Sequence, residues 1–124
     1  DKFIFGGFVR GKQWRDAYHL LDAFVMTSVS EPFGLTALEA AHHDTALLIS
    51  KQSGVGEVLE NILRFDYWDV DKLAQQMLDV ARRPELQNEL KQKVKEEYAD
   101  ISWSDAAKQC IALYEAAKRQ GVRL

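Results

Sequence analysis

Two carboxylates, Glu31 and Glu39, stand eight residues apart in the run Ser30-Glu31-Pro32-Phe33-Gly34-Leu35-Thr36-Ala37-Leu38-Glu39-Ala40. Pro32 and Gly34 are poor in a helix interior, whereas residues 35–41 tolerate or favour one. The spacing predicts a helix starting near Gly34, with Glu31 in the loop before it and Glu39 just over one turn inside. Unpaired N–H groups at such a start, with the positive end of the helix dipole, suit an anion such as phosphate. A carboxylate on either side can then take hydroxyl groups flanking that phosphate. A sugar joined to a nucleoside diphosphate presents that sequence of groups.

The elements that must position this run follow from the apolar pattern. Residues 3–5, 23–26, 46–49 and, more weakly, 62–65 are short, apolar on both faces and separated by helical stretches, as expected of buried parallel strands. Residues 13–21 carry Trp14, Tyr18 and Leu21 on one helical stripe. After residue 69 the chain turns helical, with a first helix carrying Leu73, Met77 and Leu78, a second at 84–98 and a third at 102–119. Ser102 and Asp105 read as a capping box for the last, and Glu89 with Lys93 as an (i, i+4) pair. The expectation is an α/β, Rossmann-like parallel sheet of about four strands with flanking helices, followed by C-terminal helices.

Composition narrows the function. A chain of 124 residues with 28% charged and 47% hydrophobic side chains is one ordinary globular domain at most. Its net charge of −3 argues against a nucleic-acid partner, which calls for clustered basic residues. No apolar stretch approaches the roughly 20 residues of a membrane span. Cys110 is the one cysteine, so no internal disulfide forms, and a cytoplasmic location is expected. Its place on an apolar helical face reads as packing, and Trp68 and Trp103 read the same way.

Glu31-Pro32-Phe33-Gly34-Leu35 with Glu39 resembles the E-x7-E motif of the retaining glycosyltransferases of family 4 and their glycogen synthase relatives, which have the GT-B fold. The resemblance runs in order along the chain. Phe3-Ile4-Phe5-Gly6-Gly7-Phe8-Val9 is similar to the strand and loop ahead of the motif, and residues 17–28 to the helix and strand leading into it. Ser53-Gly54-Val55-Gly56-Glu57-Val58 is similar to the family's glycine-rich turn, and residues 101–114 to its closing helix. The Gly34-Leu35-Thr36 triplet looks more like glycogen synthases than like the average family 4 member. The chain departs from the family at Asp44-Thr45-Ala46, where a Gly-Thr-Pro turn is usual.

The resemblance implies transfer of a sugar from a UDP-, ADP- or GDP-sugar to a glycan or other hydroxyl acceptor, with retention of configuration and without a metal or other cofactor. It implies Glu31 beside the donor sugar as the catalytic candidate and Glu39 on the ribose. Phe33, Gly34, Leu35 and Thr36 would meet the sugar and phosphate mainly through their backbone. Phe8 and Val9 would meet the base, and Ser53 and Gly54 would shape the pocket. Residues 1–124 then correspond to part of the C-terminal donor-binding domain, the acceptor domain being absent. The Arg and Lys that neutralise the leaving diphosphate in the family have no match here, since Arg10, Lys12 and Arg15 fall after the first strand. The chain alone is expected to bind nucleotide weakly without turnover, and an exposed sheet edge offers a route to dimerisation.

Other readings stand beside this one: a GT-B sugar-nucleotide epimerase or phosphorylase, or a non-catalytic nucleotide-sugar-binding module. His42, His43 and Asp44 invite a metal, but adjacent helical histidines diverge and no third ligand is spaced to join them.

Overall fold

The computed structural model describes residues 2–121. In chain order the elements are α1 (Gly11–His19), β1 (Ala23–Met26), α2 (Leu35–His42), β2 (Ala46–Ser50), a 3-10 turn (Gly54–Glu57), β3 (Leu63–Phe65), α3 (Val70–Arg82), α4 (Pro84–Ala99) and α5 (Trp103–Arg119). Strand β2 is buried along its whole length because it lies between β1 and β3 in a parallel sheet of order β1-β2-β3. Ala23 pairs with Ala46 and Met26 with Ile49 on one side, and Leu48 with Leu63 on the other.

The pleat sends alternate β2 side chains to opposite layers. Leu47 and Ile49 join Met26, Val55, Leu59 and the α2 alanines in one core cluster. Ala46 and Leu48 join Phe65, Val80 and Leu90 in the other. Helix α4 serves both, with Val94 in the first and Leu90 in the second. It is anchored by the Glu97 carboxylate, which accepts from the backbone N–H groups of Glu60 at 3.1 Å and Asn61 at 3.2 Å. Ala37, Ala40 and Ala41 are fully or almost fully buried. Their small side chains bring the α2 backbone close to the sheet, and a larger residue there would overpack the layer.

Helix boundaries agree with their local signals. Asp69 accepts from Lys72 N–H at 3.0 Å to cap α3, and Pro84 occupies the first turn of α4, where its missing N–H costs nothing. At α5 the Ser102 hydroxyl accepts from Asp105 N–H at 3.0 Å and donates to its carboxylate at 2.7 Å. Lys93 and Glu89 meet at 2.6 Å.

Three expectations need correction. Residues 3–5 form no strand and stand exposed, because a run becomes a strand only where a neighbour takes its N–H and C=O groups, so the described sheet has three strands rather than four. Helix α5 has no buried residue, which leaves Cys110 exposed and Trp103 at 85% exposure. Trp68 is also exposed, its ring edge-on to that of Tyr67. No helix among the described residues is long and apolar enough to cross a membrane.

Candidate functional site

The parallel sheet ends in two loops that lie against each other. Glu31 N–H donates to Gln52 O at 3.2 Å, and Gly54 N–H donates back to Glu31 O at 3.0 Å, so Glu31 and Ser53 form a parallel bridge beyond the sheet. Gly54 is required by sterics, since a Cβ there would lie 2.1 Å from Pro32 O. Gly34 is required by conformation: it holds φ 101°, a left-handed backbone that L side chains resist, as the N-cap of α2. A Cβ on Gly34 would also meet Met26 Cε at 2.9 Å. Glycines at these two points let the chain turn sharply into the helix.

The start of α2 is left open. Ala37 N–H turns back onto Gly34 O at 3.0 Å. No side chain caps the helix, and among the described residues the N–H groups of Leu35 and Thr36 find no protein acceptor. Glu31 lies just ahead of this start, its Oε1 accepting from Phe33 N–H at 3.2 Å. It lines a polar cleft of about 490 Å³ with Ser50, Gln52, Glu57 and Arg64. Arg64 is spent on the fold, donating from one nitrogen to Gly56 O at 2.8 Å and Leu59 O at 2.9 Å.

Glu39 faces a different cleft, of about 760 Å³, with Trp14, Arg15, Phe33, Leu35 and Trp103 among its walls. The two carboxylates thus open on separate clefts, and the residue 32–36 turn with its free N–H groups lies between them. Tyr18 lies behind Glu39, outside the lining of this cleft. Its hydroxyl lies 3.3 Å from Thr36 O and 3.4 Å from Glu39 Oε2. Burial, and then the Glu39 charge, push the Tyr18 phenol up to about 12, so it stays protonated and donates at neutral pH.

The residues singled out in the sequence do not all gather here. Phe33 and Leu35 border the Glu39 cleft. Thr36 directs its hydroxyl at Met26 Sδ, 3.7 Å away. Ser53 and Gly54 do line the Glu31 cleft, Ser53 with its buried Oγ 2.9 Å from Ser50 Oγ, which donates to Ser28 O at 2.7 Å. Phe8 is exposed under the Arg10 guanidinium, 4.6 Å from the ring centroid. With no strand at residues 3–5 to aim them, Phe8 and Val9 lie outside both clefts.

Sequence reasoning missed what α1 brings to α2. Arg15, which follows the first expected strand and has no place in the family pattern, lines the Glu39 cleft. The stripe that carries Tyr18 gives no sign that its hydroxyl meets Glu39. His42 and His43 do not diverge as expected: their rings are 5.0 Å apart, and His19 from α1 comes within 4.9 Å of His43. His43 Nδ1 is committed to Glu39 O at 2.8 Å. Among the described residues no group of three His, Cys, Asp or Glu side chains is arranged to hold a metal. The α1 stripe was a signal that this helix packs, but not of which helix it packs on.

Comparison with known proteins places this arrangement. A family model described as family 4 glycosyltransferase in conflict systems matches residues 12–124. The chain is 31% identical over 126 residues to an uncharacterized glycosyltransferase of Methanocaldococcus jannaschii, covering 94% of this chain and 31% of that protein. It is 29% identical to mannosylfructose-phosphate synthase of Agrobacterium fabrum, with coverages of 93% and 26%. Glycogen synthase of Mycobacterium tuberculosis is 34% identical over 105 residues, with coverages of 82% and 25%. The chain therefore spans about a quarter to a third of the length of these relatives. The solved N-terminal domain of Candida albicans trehalose-6-phosphate phosphatase superposes with a TM-score of 0.77 at 18% identity, covering 87% of this chain and 24% of that one, and shows a shared fold. The E-x7-E turn, the sheet that carries it and the matched family model together establish that this chain belongs to the glycosyltransferases of family 4, in the family described as occurring in conflict systems.

Proposed function

We propose that this chain is the donor-binding part of a retaining glycosyltransferase, holding a nucleoside-diphosphate sugar across the start of α2. The diphosphate accepts from Leu35 and Thr36 N–H, the ribose hydroxyls donate to Glu39, and the sugar lies toward Glu31. One observation carries this reading: two unpaired N–H groups lie between two carboxylates that open on separate clefts. An elongated ligand with an anionic middle and hydroxyl-rich ends fits that order, whereas a compact ligand would leave one end unused. Glu31 then stabilises the oxocarbenium-like charge at the anomeric carbon or holds a sugar hydroxyl. No metal is needed in this scheme. Acceptor binding and the cations that balance the leaving diphosphate belong to the rest of a protein as long as the relatives.

The test is titration with UDP, ADP, GDP and their glucose conjugates, followed by amide resonances. Shifts should cluster at residues 34–36 and at Glu39. Glu39→Ala should weaken binding by roughly 10- to 100-fold, the loss of hydrogen bonds to a charged acceptor. Shifts elsewhere, or an unchanged affinity in the variant, would overturn the reading.

A further inference from the structure

The Tyr18 hydroxyl is a buried donor between two groups of α2. Tyr18 is the one buried residue of α1. Its ring is held by Trp14 edge-on at 5.0 Å, Phe24 at 6.1 Å and a stacked His43 at 5.3 Å. The phenol oxygen is thus a fixed point on the far side of the cleft wall. It has one proton and two acceptors within reach, Thr36 O and Glu39 Oε2. Glu39 otherwise swings about three side-chain bonds, while its Oε1 has no protein donor among the described residues.

From this placement we infer that Tyr18 is a positioning residue for nucleotide recognition: it pins one oxygen of Glu39 so that the carboxylate presents the other to ribose hydroxyls. The inference rests on the donor-binding reading above and adds to it a residue that acts through Glu39. Tyr18 does not touch the ligand. Thr36 O, the other acceptor within reach of that proton, belongs to the helical turn whose N–H groups are offered to phosphate, so both ends of the nucleotide are read from one helix. A preset carboxylate spares the entropy of fixing a flexible side chain on binding. A tyrosine that merely filled the core would affect all ligands equally when altered.

The experiment compares the tightest binder of UDP, ADP and GDP with its 2′,3′-dideoxy counterpart, on the full chain and on Tyr18→Phe and Glu39→Ala. The unsubstituted chain should prefer the ribose form, and Glu39→Ala should abolish the preference. Tyr18→Phe, which keeps the ring packing, should cut the preference by roughly 3- to 10-fold, as for one hydrogen bond, and leave dideoxy affinity unchanged. An undiminished preference in Tyr18→Phe, or equal weakening of both ligands, would overturn the inference and leave the donor reading standing. No preference in the unsubstituted chain, or a preference surviving Glu39→Ala, would overturn both. Should Tyr18→Phe not fold, tyrosine labelled with ¹³C at Cζ in the unsubstituted chain decides. The Tyr18 resonance should move with the ribose form and stay with the dideoxy form, and equal movement with both would refute the inference.

Discussion

The two ends of α2 treat the same problem in opposite ways. At the C-terminal end the helix closes on itself. Asp44 takes a left-handed φ of 55°, Thr45 N–H bonds Ala40 O at 3.2 Å and Asp44 N–H bonds Ala41 O at 3.3 Å, a Schellman closure. The Glu39 carbonyl is taken by His43 Nδ1, and Lys95 reaches Asp44 at 2.8 Å. At the N-terminal end a glycine turns the chain and nothing caps the first N–H groups. One helix of eight residues thus has a finished end and an open one. N–H groups left open at a helix start are satisfied by water or by an anionic ligand.

The comparison can be broken most forcefully at the open end. Gly54→Ala places a methyl group against Pro32 O, where backbone must move, and we expect a loss of about 3 kcal/mol in urea unfolding. Nucleotide affinity should fall with it, since the same displacement reshapes residues 31–34. A smaller effect comes from Tyr18, whose hydroxyl touches Thr36 near the open end while its ring stacks on His43 near the closed one. Its folded-state pKa, about 12, lies above the ordinary tyrosine value of 10.0. Because the raised value favours the protonated form in the fold, the associated stability is complete below pH 10 and disappears as pH rises from about 10 to about 12. The stability difference between the unsubstituted chain and Tyr18→Phe should decline across that window, and a flat difference would show that the phenol is not held as described.

The closed end offers the smallest effect. Asp44→Gly relieves a left-handed aspartate but frees the unfolded chain and gives up an exposed ion pair with Lys95, more than half solvent-accessible on both sides. The balance should be a gain of about 0.5 kcal/mol in thermal unfolding, with nucleotide binding unchanged. A change in binding would mean that the two ends are coupled through the helix. Asp44 is also the first residue of the Asp44-Thr45-Ala46 turn. The structure shows aspartate taking the backbone conformation that a glycine adopts more readily.

Most of the fold was legible because its signals are local. Pro32 and Gly34 announce the start of α2, Asp69 and Ser102 cap their helices, and β2 declares its two-sided burial by an unbroken apolar run. The errors fall where a partner decides. Residues 3–5 have the composition of a strand but no neighbour to pair with. Trp103 and Cys110 lie on a helix that buries nothing in the described residues. Arg15 and the meeting of His19 with His43 depend on how α1 crosses α2, which no spacing within either helix records.

The sequence by itself determined the turn, the helix and the eight-residue interval between Glu31 and Glu39, since backbone preferences and helical pitch act over a few residues. Only the tertiary structure decided that the two carboxylates open on different clefts and that the 31–34 turn is locked against Gly54. It likewise decided that a tyrosine from the preceding helix reaches Glu39. Those relations join distant segments, 23 residues apart from Glu31 to Gly54 and far more from Trp14 to Trp103 in the walls of the Glu39 cleft, and they arise from close packing of layers, in which each side chain's surroundings are supplied by other elements.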